Sequence, residues 1–313
     1  MSKELQFAVF SFNRGRFLQH CIESIEQFAP GCPVHIVDDG SDDADTLQVI
    51  ADVSRRHRVT VAARTGAAKH GGLYANMQSA LDIAQPDVPL CFLQDDAQLV
   101  RPLEADDVSA IDRYFAHSPK AAFLSPAFVH RRKKAQPPDA LQFDPVTGVY
   151  LPRLSSQTAG VYYSDISITL PQRLHAAGWQ FKNAEHDNER QARAHFMRMG
   201  ILHSPFAMML PWVPAFRGKH KTLALTLGEK RSGCGFHPIE PMTREAVAAM
   251  RARDPRIFPY VEDFLWVAGR DPTALWRFNG LQGHRDLKWL NSIEMRLRRG
   301  LAAITPVRQG PAP

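Results

Sequence analysis

Two pairs of adjacent carboxylates stand where carboxylates can do chemistry. Asp95 and Asp96 close the apolar run "CFLQDD", and Asp38 and Asp39 close "VHIVDD". Like charges side by side repel, and a strand end is more cheaply finished with Gly, Asn or Ser. Adjacent carboxylates at a strand end suit a hard divalent cation, Mg²⁺ or Mn²⁺, which takes oxygen ligands and commonly bridges protein to substrate phosphates. In the other pair, Gly40 permits a sharp turn, and the carboxylates can accept hydrogen bonds from a base or a ribose. Two acidic clusters, with basic loops further along, suit a nucleoside diphosphate. Taken singly, each pair is explained as well by an ordinary turn or helix cap. Their repetition at successive strand ends favours a site.

Periodicity shows which elements must position them. "FAVFSF" (7–12), "VHIV" (34–37), "VTVAA" (59–63) and "LCFL" (90–93) have the pattern of buried strands. Between them, "FLQHCIESIEQF", "TLQVIADVSRR" and "LYANMQSALDIA" carry apolar residues at helical spacing. Regular alternation implies right-handed crossovers and a parallel sheet, hence an α/β fold. In such sheets ligands sit beyond the carboxyl ends of the strands. That rule gathers Asn13, Arg14, Asp38, Asp39, Gly66, Asp95 and Asp96 onto one rim.

The second half is less regular. "VHRRKKAQPPDALQFDPVTGVYLPRL" predicts a basic, Pro-rich loop followed by short antiparallel strands. "LPQRLHAAG" and "NERQARAHFMRMG" predict helices closed by Gly178 and Gly200, and "TREAVAAMRARDP" a helix capped by Thr243. "RGKHKTLALTLGEKRSGCGFHP" predicts a mobile basic loop. Four cysteines fit neither a disulfide framework nor a zinc pattern, so a reducing cytoplasm is expected. The 313 residues contain no apolar run long enough to cross a bilayer and open on no secretory signal. A net charge of +6 and pI near 9.2 suit an anionic substrate, an anionic membrane or nucleic acid, and composition alone does not choose. Nucleic acid is disfavoured by the lack of a recognised motif.

"FAVFSFNRGRFLQHCIESI", "VHIVDDGSDD" and "FLQDDAQLVRP", in this order, resemble the family 2 glycosyltransferases of the GT-A fold. The likeness is good over roughly the first 105 residues and looser to about residue 200. It implies a mainly parallel Rossmann-like sheet flanked by helices, with a less regular acceptor-binding half and a C-terminal helical extension. The expected divisions are 1–125 for the nucleotide-sugar half, 126–240 for the acceptor half and 241–313 for the extension and tail. By the same resemblance, Ser11, Phe12 and Asn13 line the nucleotide base, and Arg14 lies near base or phosphates. Asp39 pairs with a uracil- or thymine-like ring nitrogen, assisted by Asp38. Asp96 is the metal ligand, Asp95 approaches the donor's ribose or sugar, and Gly66 belongs to the glycine-containing stretch before the motif. Gln94 stands where the family's metal motif carries an acidic residue.

The resemblance also implies a catalytic base in "NAEHDNERQAR". An inverting transfer needs a carboxylate to take the acceptor's proton. Asp187, six residues before Arg193, is the first candidate and Glu185 the second. Asp187 also occupies a place suited to a helix N-cap, which needs no catalytic role. Trp179 suits either an acceptor pocket or the core. Arg217 and Lys219 suit the diphosphate, and His237 a further metal position, although a plain loop explains all three. "LKWLNSIEMRLRRGLAAI" (287–304) forms a basic amphipathic helix, with Lys288, Arg296, Arg298 and Arg299 beside its apolar positions. It suits either docking on the protein body or contact with the inner face of a membrane.

The expected activity is thus metal-dependent, inverting transfer from a UDP- or dTDP-sugar to a glycan or lipid-linked saccharide, as in polysaccharide biosynthesis. The alternative is a non-catalytic nucleotide-sugar-binding or scaffolding relative.

Overall fold

In a computed structural model the described residues are 5–61, 72–131, 141–152, 160–215, 221–271 and 274–304. Gly66, Arg217 and Lys219 fall outside them. The strand β1 (Gln6–Ser11) is buried at every position, because it is apolar on both faces and paired on both edges. The following helix α1 (Gly15–Phe28) buries Leu18, Cys21, Ile22, Ile25 and Phe28, one face at helical spacing. Next come β2 (Val34–Asp38), α2 (Ala44–Val53), β3 (Arg58–Val61), α3 (Leu73–Ile83) and β4 (Leu90–Gln94). Each agrees with the periodicity of the sequence to within a few residues. Asp43 caps α2, its Oδ1 accepting from the Thr46 amide at 2.9 Å.

The chain continues through β5 (Ala97–Leu99), α4 (Ala105–His117), β6 (Phe123–Ser125), β7 (Leu141–Asp144), β8 (Val149–Pro152), β9 (Ser167–Thr169), α5 (Pro171–Ala176) and α6 (Glu185–His195). After β10 (Gly200–Leu202) and β11 (Ala207–Met209) come α7 (Leu223–Ser232), β12 (Ile239–Glu240), α8 (Arg244–Ala252), α9 (Val261–Phe264), β13 (Trp266–Val267) and α10 (Arg285–Ile304). Among the described residues, nine strands form one sheet in the order β3-β2-β1-β4-β9-β6-β10-β8-β7. Only β8 and β9 run against the others, so the sheet is mainly parallel, as the alternation implied.

Two compact units divide the chain: Met1–Leu210 with Pro238–Trp276, and Pro211–His237 with Arg277–Pro313. The first contains the whole sheet, so the halves drawn at residue 125 share one architecture. Residues 241–276 group with the sheet rather than with the C-terminal extension. All four cysteines are free thiols, with Cys21 and Cys91 buried.

Two local expectations are corrected. Helix α6 ends at His195 rather than at Gly200, which instead opens β10. A Cβ at Gly200 would meet the Tyr114 ring at 2.8 Å, so the glycine serves close packing. The supposed basic loop contains α7, capped by Thr222 and closed by Gly233 at φ 62°. Its leucines at 223, 225 and 227 alternate, so no helical stripe reveals it.

Arg101 is fully buried and forms a bidentate pair with Asp107, both contacts at 2.8 Å. It also donates to the carbonyls of Pro102 and Pro205, tying α4 to the segment before β11. Removing one partner of such a pair strands a charge in a low-dielectric interior. Asp107→Ala should therefore destabilise the sheet unit by about 3–5 kcal/mol. Chemical denaturation checks it; a loss below about 1 kcal/mol, the scale of an exposed pair, would contradict the assignment.

Candidate active site

The carboxyl end of β1 organises the site. The Asp39 amide donates to the Ser11 carbonyl at 2.9 Å, and the Asp95 amide to the Phe10 carbonyl at 3.0 Å. Both neighbouring strands therefore leave the sheet beside the same end of β1, each about 4.8 Å from it. Residues 56 positions apart in sequence meet on one rim.

The two members of the first pair have different tasks. Asp38 is fully buried, and its oxygens accept from the Ser41 amide at 2.7 Å and hydroxyl at 2.6 Å. It shapes the turn, and both of its oxygens are engaged there rather than turned towards the rim. Asn13, at φ 51°, is likewise committed: its Oδ1 accepts from the Asp42 amide at 2.9 Å, and its Nδ2 donates to Asp42 at 2.6 Å. Its side chain staples β1 to the turn. The Ser11 hydroxyl is buried with no hydrogen-bond partner. Phe12 contributes its amide, which reaches Asp95 Oδ2 at 3.4 Å.

Asp39 points to the start of α3, accepting from the Gly72 amide at 2.7 Å and from Asn76 Nδ2 at 3.3 Å. A Cβ at Gly72 would lie 2.1 Å from Asp39 Oδ1. Gly72→Ala should accordingly push that carboxylate aside and, given the nucleotide contact expected of Asp39, weaken nucleoside diphosphate binding about tenfold, roughly 1.4 kcal/mol. Calorimetric titration with UDP decides; unchanged affinity would contradict that expected contact.

The second pair carries the main electrostatics. Arg14 Nη1 lies 2.8 Å from Asp96 and 3.4 Å from Asp95. Burial pushes the Asp95 carboxyl up to about 7, partly countered by Arg14 and reinforced by Asp96. Asp96 Oδ1 is buried and makes no hydrogen bond among the described residues. A carboxylate oxygen left this way fits a divalent cation, with Asp96 and Asp95 as the residues that would hold it. No group of three or more His, Cys, Asp or Glu suited to a metal occurs among the described residues. Two carboxylates are enough for Mg²⁺ or Mn²⁺ when substrate phosphates complete the shell. His237 belongs to the second unit, and its Nε2 lies 2.8 Å from the Gly233 carbonyl. A carbonyl only accepts, so in this arrangement Nε2 donates and is engaged within its own loop.

A third acidic group is formed at α6. Asp187 is the third residue of the helix rather than its N-cap, which is Ala184. Its carboxylate is 3.3 Å from both Arg190 and His186, and the side chain is 40% exposed. Glu185 has much open surface, yet burial of its carboxyl, then Asp165 and Glu189, push it above the ordinary carboxylate range. Glu189 is structural: Oε2 accepts from the Tyr162 and Tyr163 amides, both at 2.9 Å. Arg193 pairs with Glu189 at 3.7 Å and lies over the Tyr162 ring.

Asp165 escaped the sequence reading. It accepts from the Tyr163 hydroxyl at 2.7 Å and the Tyr74 hydroxyl at 3.4 Å. Tyr74 is on α3, the helix whose start holds Asp39, so α3 links the Asp39 end of the rim to Asp165. The available signal was an Asp just before the alternating stretch "ISITL" that contains β9. Trp179 is core: it is 2% exposed and packs on Phe123, Phe181 and Phe196.

Residues 7–113 match the model of Glycosyl transferase family 2. The matched segment runs from β1 into α4 and includes Arg14, Asp39, Asp95 and Asp96. No curated protein matches. Among solved structures, residues 1–349 of Staphylococcus aureus TarS are 15% identical, covering 65% of this chain and 59% of that one, at a TM-score of 0.46. A mannosyltransferase from Pyrobaculum calidifontis, PcManGT in complex with GDP-Man and Mn²⁺, is 12% identical. That match covers 97% of this chain and 76% of the other, at a TM-score of 0.42. The chain thus spans less than two thirds of the TarS fragment.

Proposed function

We propose that the protein is an inverting, metal-dependent glycosyltransferase using a UDP- or dTDP-sugar and a glycan or lipid-linked hydroxyl acceptor. The observation that carries this is the meeting of Asp39, Asp95, Asp96 and Arg14 at one end of β1, within the segment matching family 2. Asp39 would hold the base or ribose, and Arg14 a phosphate. Asp96, with Asp95, would hold Mg²⁺ or Mn²⁺, which supplies positive charge to the leaving diphosphate.

Glu185 takes precedence over Asp187 as the base. A carboxyl above its ordinary range is better matched to accepting a proton near neutrality, whereas Asp187 is half-open and engaged by Arg190. The acceptor oxygen forms its bond to the anomeric carbon and its proton passes to Glu185. The bond from that carbon to the diphosphate oxygen breaks, and the electron pair leaves with the diphosphate.

Gln94 and the Arg14 ion pairs favour a second reading, a binding protein without turnover. A thermal-shift screen of nucleoside diphosphates with and without Mn²⁺, followed by a donor-hydrolysis assay, separates them. A true ligand at a hundred times its Kd should stabilise by about 2.7 kcal/mol. Stabilisation with Mn²⁺-dependent hydrolysis supports the enzyme; stabilisation with none supports the binding protein. No shift with any nucleotide removes both.

A further inference from the structure

Charge and exposed apolar surface are unevenly distributed. The unit of Pro211–His237 and Arg277–Pro313 contains twelve Lys and Arg against three Asp and Glu, whereas the rest of the chain has 26 against 29. The positive balance therefore resides wholly in the smaller unit. Twelve large hydrophobic side chains are exposed among the described residues, and six are in that unit: Leu223, Leu227, Trp289, Leu290, Met295 and Leu297. A chain of average surface would place far fewer there.

The two helices of this unit account for both properties. Helix α10 buries Leu287 and meets the start of α7 through three contacts. Thr222 Oγ1 donates to Asn291 at 2.5 Å, the Leu223 amide to Glu294 at 2.8 Å, and Arg298 to the Lys221 carbonyl at 3.0 Å. At about 100° per residue, positions 287, 291, 294 and 298 form one seam along α10. Leu290, Ile293 and Leu297 run along the adjoining flank, and Trp289 lies at its edge next to Arg296. Leu297 is 63% exposed and Trp289 65%, while on α7 Leu223 is 75% exposed.

We propose that this unit docks the protein onto an anionic lipid surface through α10 and the first turns of α7. Leucines and a tryptophan at the edge suit the boundary between headgroups and acyl chains, and the excess of Lys and Arg suits anionic headgroups. Charge argues against a second copy, and the exposed leucines against nucleic acid. A second copy would bring two strongly basic units together. Nucleic acid phosphates would leave the leucines without apolar partners. The proposal does not depend on the transferase reading, because it rests on a unit that contains none of the rim carboxylates.

The test is flotation of the full chain with vesicles of phosphatidylcholine alone or mixed equally with phosphatidylglycerol. Binding should be at least about tenfold tighter to the anionic vesicles and should weaken with salt. Leu290→Ser with Leu297→Ser should reduce it about tenfold or more, as should Leu223→Ser with Leu227→Ser, with circular dichroism unchanged. Absent binding, equal binding to both vesicles, or binding that both pairs of substitutions leave intact overturns the proposal. So does a protein dimer or oligonucleotide complex that these substitutions abolish while vesicle binding persists. Because vesicle binding is read without donor or acceptor, its failure is distinguishable from failure of the transferase assay.

Discussion

Asp96→Asn should abolish the contribution of Mn²⁺ to donor binding while leaving the fold intact. The substitution keeps an oxygen able to accept from Arg14, whose guanidinium is 2.8 Å from the native carboxylate. It removes the charge from the buried, unpartnered Oδ1 that a cation would meet. Donor affinity measured with Mn²⁺ should fall about a hundredfold, about 2.7 kcal/mol, towards its metal-free value. The metal-dependent part of the thermal shift should vanish with it. A variant that retains that part would show that the cation is held elsewhere.

Glu185→Gln should spare donor binding and lower kcat by about 10²–10⁴-fold, the usual share of a general base. Asp187→Asn, two residues away, should stay within a few-fold of the parent because its carboxylate is already engaged by Arg190. The pH profile supplies a further check. A base must be ionised to work, so kcat should rise with pH as Glu185 loses its proton. Burial and the neighbouring Asp165 and Glu189 place that rise above the ordinary glutamate range. The reverse pattern, with Asp187→Asn inactive and Glu185→Gln unaffected, would return the base to Asp187.

These two experiments address the rim and α6, which were legible from the sequence to different degrees. Apolar runs at 7–12, 34–37 and 90–93, separated by helical periodicity, were sufficient for parallel strands with Asp39 and Asp95 at their carboxyl ends. Hydrophobic burial and the right-handed crossover leave few alternatives for such a pattern. The sequence therefore determined that these carboxylates converge. It did not determine β5, β6, β9, β10 and β11, each of three residues, too short for periodicity to register.

Side-chain direction was decided only by tertiary structure. Asp38 and Asp39 are adjacent, but successive strand residues point to opposite faces. One is therefore buried against Ser41, while the other reaches Gly72 and Asn76. Glu185 and Asp187 are two residues apart on a helix, about 200° around its axis, so one carboxyl is raised by burial and the charge of Asp165 while the other pairs with Arg190. Asp165 joined the group only when β9 paired against β4, a long-range contact that no local pattern encodes. Local periodicity fixes where backbone elements begin and end. Which side chain of an acidic pair can do chemistry depends on what packs against it.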